Sequence, residues 1–160
     1  LGYGENYGAE MINAGNAGSR FKTYQEVAEE IIQGCIDIAD EVGNTKIGRP
    51  HSASSVDDRN YIESPYSLNS IEDFAYNIRS IEGSYTGTGS ASISDYVKKH
   101  NPALDAKLRK AIADAIAAIE AIPEPFALHA TEPVAGVAVE VVGADLVDVL
   151  QEVYGFISKN

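Results

Sequence analysis

Cysteine occurs once, tryptophan not at all, and basic side chains are half as numerous as acidic ones. With Cys35 alone, no internal disulfide can form and no cysteine-based zinc site is available. Lys and Arg number 12 against 24 Asp and Glu, which leaves a formal charge of −12. Phosphate backbones repel such a surface, and no basic run is longer than Lys98-Lys99, so the composition argues against nucleic acid as a partner. No apolar stretch reaches the roughly 20 residues that a bilayer-crossing helix needs. T-G-T-G-S-A-S lacks the following G-K-S/T of a phosphate-binding P-loop, and no serine sits in a G-x-S-x-G nucleophile elbow.

What is there suits one domain. The chain has 160 residues and 44% hydrophobic content, enough to bury a core of its own. Leu1 stands where a methionine would begin a chain, and L-G-Y-G-E-N-Y-G is not a signal peptide. The sequence therefore reads either as processed upstream or as a piece of a longer protein. Cys35 lies among apolar residues of an evident helix, which makes it a small core residue rather than a nucleophile.

Helical spacing recurs along the chain. The first 20 residues read as loop with one helical turn at Ala9 to Ala14. T-Y-Q-E at Thr23 to Glu26 spells a capping box, and Val27, Ile31, Cys35, Ile38 and Val42 follow at helix intervals. Gly43-Asn44 is expected to stop that helix. Residues 44–69 then read as a long ordered loop, with a short helix near Val56 to Ile62 and Arg59 ion-paired to Asp57 or Asp58. A second helix is expected from Asn69 or Ser70 to Gly87. Ser92 caps a short third one, and Asn101-Pro102 opens a long Ala-rich helix that Pro123 and Pro125 close. The segment from Pro133 to Ile157 is β-branched, yet Val134, Val137, Val141, Leu146, Val149, Val153 and Ile157 share a helical face, so helix is expected there too. The fold class predicted is all-α, an up-and-down helical bundle of about four long helices with one long ordered loop.

The helix beginning near Ser70 has three faces. Ile71, Phe74, Ala75, Ile78, Ile81 and Tyr85 form an apolar arc, and Glu72, Tyr76 and Arg79 lie opposite. Between them run Ser70, Asp73, Asn77, Ser80 and Ser84. Small polar residues lower helix propensity relative to Lys or Glu, so their presence points to short-range hydrogen bonding with a neighbouring helix, loop or domain. The alternative is that Ser70 and Asp73 serve the helix start and the others sit on a tolerant surface. His51, His100 and His129 have no metal-ligand spacing. His129 and Glu132 spell H-x-x-E, but Pro125 and Pro133 bracket them, which speaks against one intact helix carrying both.

I-I-Q-G-C-I-D-I-A-D-E-V-G-N-T-K-I (Ile31 to Ile47), E-S-P-Y-S-L-N-S-I-E-D-F-A-Y-N-I-R-S-I-E-G-S-Y-T-G (Glu63 to Gly87) and A-I-A-A-I-E-A-I-P-E-P-F (Ala115 to Phe126) resemble, in that order, the C-terminal half of imelysin-like proteins. The resemblance implies a two-part, all-helical protein of the bacterial periplasm or cell surface, often a lipoprotein, associated with iron-regulated uptake. It implies as partners an N-terminal half of the same protein and a small ligand or metal ion, with membrane contact only through a lipid anchor upstream. It also implies iron or zinc in the complete protein, and Ser67, Asn69, Ser70, Asp73, Asn77 and Ser80 facing a cleft between the halves. The family's metal motif, G-x-H-x-x-E, belongs to the other half, and Ala127 stands where its glycine would precede His129. The readings that follow are a ligand- or metal-associated surface protein, a metallopeptidase whose metal ligands lie outside this chain, and a helical interaction domain without chemistry.

Overall fold

The computed structural model describes residues 6–89 and 91–160. Residues 1–5, the start of the expected N-terminal loop, and Ser90, in the T-G-T-G-S-A break, lie outside the described residues. Among the described residues every regular element is helical, as the spacing of apolar residues predicts.

A short α1 (Tyr7–Ile12) precedes the first rod, and the Asn6 side chain caps it by accepting from Ala9 N. Thr23 caps α2 (Tyr24–Asp40), accepting from Glu26 N at 3.1 Å. Glu26 in turn accepts from Lys22 N at 2.6 Å, one residue before the amide that a reciprocal box would engage. Gly43-Asn44 does not end this helix. It continues as a π-helical stretch, π1 (Glu41–Ile47), and then as α3 (Gly48–His51). The last rod is built the same way, from α9 (Pro133–Glu140), π2 (Val141–Leu146) and α10 (Val147–Ile157). The β-branched run is thus helix, because a segment without a partner strand must satisfy its amides internally.

The reason the glycine does not stop the helix is tertiary. A Cβ on Gly43 would lie far inside van der Waals contact of Gly143 N and Cα, so the two π stretches cross backbone against backbone. A Cβ on Gly143 would lie 2.7 Å from Asn44 Oδ1. Asn44 Nδ2 donates to Asp40 Oδ1 at 2.8 Å and to Gly143 O at 3.2 Å, spanning the crossing. The long loop consequently begins at Ser52 rather than at residue 44.

Two more rods complete the bundle, α5 (Ser70–Thr86) and α7 (Pro102–Glu120). Short helices occupy the connectors: α4 (Val56–Arg59), α6 (Ile93–His100) and α8 (Phe126–His129). Ser92 caps α6 and Asn101 caps α7, with Pro102 at the first helical position. Contacts between ends show the antiparallel order. Gln25 Nε2 donates to Ile157 O at 3.0 Å, so the first rod starts where the last one finishes. Tyr85, late in α5, bonds Asp105, early in α7, and Lys107 there pairs with Glu152 of α10. The result is the expected up-and-down bundle.

The core is drawn from all four rods, including Ile32, Ala39 and Val42, then Phe74, Ile78 and Ile81, then Leu108, Ile112 and Ile119, then Leu146, Leu150 and Val153. Phe74 meets Phe126 edge to face, with centroids 5.3 Å apart. Cys35 is buried, and burial pushes its thiol up to about 11, which keeps it protonated and unreactive. No helix among the described residues is long and apolar enough to cross a membrane.

One buried charge sits at the junction of α5, α6 and α7. Asp105, only 4% exposed, accepts from Tyr85 Oη at 3.0 Å, from Ser94 Oγ at 2.5 Å and from Arg109 Nε at 3.1 Å. Burial alone would raise its pKa, but the hydrogen bonds from Ser94, Tyr85 and Arg109 more than offset that and hold the carboxyl below its usual range. Burial and the Asp105 carboxylate together push the Tyr85 phenol well above its ordinary value.

Two stability tests follow. Gly43→Ala should cost about 3 kcal/mol, at the upper end for overpacking, because backbone cannot swing aside. Gly143→Ala should cost about 1 kcal/mol, since it displaces only the Asn44 side chain. Denaturant unfolding of both variants measures the contrast. The second concerns acid. A carboxyl held low in the folded state contributes stability that is complete above its unfolded pKa of about 3.9 and is lost as pH falls through the folded value. Asp105→Asn should lower stability at neutral pH by about 2 kcal/mol and flatten the fall in Tm below about pH 4, read by thermal melts across that range.

Candidate functional site

The polar stripe of α5 starts beside a tight turn. Ser64 and Leu68 both carry positive φ, 54° and 57°, and Leu68 N donates to Ser64 O at 3.0 Å to close the turn between them. Ser64 Oγ donates to Asp73 Oδ2, and Asn69 Nδ2 donates to Asp73 Oδ1 at 3.4 Å. Ser70 Oγ donates to Glu63 O. The first turn of α5 therefore holds residues 63–69 with its own side chains. Asn69 occupies the cap position yet makes no side-chain cap bond, because its amide is turned toward Asp73.

The first rod grips the same loop from the other side. Lys46 Nζ, in π1, lies 2.9 Å from Glu63 Oε2. Arg49 Nε, in α3, lies 2.8 Å from Asp58 Oδ1, and its guanidinium stacks 4.4 Å above the Tyr61 ring. The expected pairing of Arg59 with a neighbouring aspartate is corrected here: Asp58 faces Arg49, drawn in by the continuation of the helix to His51. Asp58 also completes a capping box with Ser55 at the start of α4. Hydrogen bonds from Ser55 and Arg49 hold its carboxyl well below the usual range.

The six residues singled out from the sequence are placed as follows. Asn69, Ser70 and Asp73 come together with Ser64 at the base of the turn. Ser67, exposed at the turn, donates to Ser64 O at 3.4 Å. Asn77 is half-buried one turn further along α5, and Ser80 Oγ donates back to Asn77 O at 2.6 Å. Ser84 belongs to a different place. It lines a cavity of about 620 Å³ with Tyr24, Ile31, Tyr96 and Ile157 at the other end of the bundle. The stripe is thus divided, with Ser70 and Asp73 at the turn and Ser84 at that cavity.

The histidines stay apart. His51 Nδ1 donates to Ala130 O at 2.9 Å, which ties α3 to the approach of α9. His129 Nδ1 lies 2.9 Å from Glu132 Oε1, so the H-x-x-E pair is closed on itself. His100 packs against Tyr96. Among the described residues no three His, Cys, Asp or Glu side chains converge to hold a metal. The donor set present does not by itself fit iron or zinc.

Sequence reasoning did not find Ser64, Lys46, Arg49 or the Asp105 cluster. The S-V-D-D pattern at Ser55 to Asp58 carried a legible capping signal for Ser55. Arg109 stands four residues after Asp105 on α7, a spacing that could have been read, whereas Ser64, Lys46, Tyr85 and Ser94, partners of Asp73, Glu63 and Asp105, lie on other elements and leave none.

The imelysin family model matches residues 3–153 of this chain. The chain is 30% identical over 138 residues to iron-regulated protein A of Synechococcus elongatus, a match that spans 83% of this chain and 38% of that protein. An imelysin peptidase from Bacteroides ovatus superposes with a TM-score of 0.87 at 30% identity, over 98% of this chain and 47% of the other. A protein from Parabacteroides distasonis, described as an iron-regulated protein A precursor, gives 0.81 at 27% identity, over 97% and 49%. This chain spans well under two thirds of each relative. These shares do not bear out the expected placement in a C-terminal half, and they leave the family assignment intact. The chain is a member of the imelysin family.

Proposed function

We propose that this chain is one helical domain of an imelysin-family protein of the bacterial envelope, periplasmic or surface-held, that takes part in iron uptake. In this reading Ser67, Asn69, Ser70, Asp73, Asn77 and Ser80 belong to a cleft completed by the rest of the protein, and a small ligand or metal ion binds there. The observation that carries it is Asp73. Its carboxylate is fixed by Ser64 and Asn69 rather than by a cation, and it stands one turn from the Asn77 amide at the edge of a rigid turn. An anchored carboxylate beside an amide suits recognition of a cation or a polar ligand. The naming of two relatives as iron-regulated protein A supports the iron connection, and the word precursor supports export.

The description of the Bacteroides ovatus relative as a peptidase supports a second reading, a metallopeptidase. Since no metal-binding cluster is present among the described residues, the metal ligands of such an enzyme would lie elsewhere in the complete protein.

The test uses the complete protein. Asp73→Asn keeps an acceptor for Ser64 but removes the charge, and Asn77→Ala removes the amide. Each should weaken iron or zinc binding about tenfold, equal to about 1.4 kcal/mol, in calorimetric titration. Unchanged affinity in both variants would sink the cleft role. Peptide cleavage that stops on chelation would favour the peptidase reading; metal binding without cleavage would favour uptake.

A further inference from the structure

The turn from Glu63 to Ser70 is held unusually firmly for a surface connector. Ser64 and Leu68 sit in the left-handed backbone region, which residues bearing a Cβ enter only when the surroundings over-determine them. Here the surroundings are Asp73, Asn69 and Ser70 on one side and Lys46 on the other. What the turn holds out is apolar. Tyr66 is 100% exposed and Leu68 is 52% exposed, so nothing among the described residues covers the Tyr66 ring.

A rigid turn that displays a bare aromatic is organised in advance for docking. The backbone is already tied by these bonds, and tyrosine has few rotatable bonds, so the ordering cost of an interface built on it is small. Tyrosine is also among the residues that dominate binding energy at interface centres. The occupant follows from length. This chain accounts for 38%, 47% and 49% of three relatives, so more than half of each lies outside the matched region and must pack against it or hang free. We infer that Tyr66, with Leu68 beside it, docks this domain onto the remainder of the same imelysin-family protein by entering an apolar pocket there. The inference rests on the reading above that a second part of the protein faces this turn. It requires no ligand.

Tyrosine acetylation by N-acetylimidazole, mapped by peptide mass spectrometry on the complete protein under conditions where it sediments as a monomer, tests this. In the domain alone, exposure ranks Tyr66 ahead of Tyr24 at 66% and Tyr76 at 58%. Docking by Tyr66 inverts that order, so that Tyr66 is acetylated more slowly than Tyr76. Acetylation of Tyr66 ahead of Tyr76 in the monomer overturns the proposal, including the case where protection develops only on self-association and the occupant is a second copy. The labelling order is independent of metal affinity, so failure of the Asp73 and Asn77 variants to change binding would leave this result standing.

Discussion

The contact between Gly43 and Gly143 decides how near the first and last rods of this bundle can lie. With no side chain on either, the two π stretches touch along their backbones, and Asn44 bridges them to the Gly143 carbonyl. A π turn accommodates an extra residue and re-aims the side chains that follow it. Both rods carry such a turn at the same level, so neither is a straight α-helix through the crossing. Beyond the crossing the first rod continues to His51, whose ring reaches Ala130 O just ahead of α9.

The positioning of the polar turn depends on that continuation. Lys46 belongs to π1 and Arg49 to α3, and these are the two cations that hold Glu63 and Asp58. Had the helix ended at Gly43, both would have been part of a loop with nothing to fix them. As built, residues 63–69 are clamped between the end of one rod and the first turn of the next. The small polar residues at the start of α5 are explained by this clamp: Ser70 and Asp73 are short enough to bond backbone and hydroxyl groups packed directly against the helix. Lys or Glu at those positions would project past them into solvent.

Charge is handled in two ways in this molecule. Asp105 is buried and surrounded by three donors, which makes it a fastening between α5, α6 and α7. Asp73 is also fastened, but at a half-buried edge next to a turn whose aromatic tip is bare. The first arrangement is complete within the domain. The second leaves groups facing outward, which is why the functional reading rests there and not on the deeper cluster.

Local chemistry was sufficient for much of the fold. Apolar residues at helical intervals located all four rods, and Thr23, Ser92 and Asn101 marked starts because a cap needs only residues three positions apart. The apolar arc of α5 was legible for the same reason: one helix face is a property of one helix. The family, too, could be recognised from the order of three segments. What local pattern could not show was anything set by a partner far along the chain. Gly43 reads as a helix stop until Gly143 lies against it. Arg59 reads as the mate of Asp58 until the longer first rod brings Arg49 closer. The Asp73 carboxylate acquires Ser64, and Asp105 acquires Tyr85 and Ser94, only when separate elements pack, since hydrogen bonds across a tertiary contact impose no periodicity on the sequence. The helices and their faces were therefore determined by the sequence itself. The crossing, the clamped turn and the division of the polar stripe were decided by tertiary packing, because each requires two surfaces to meet.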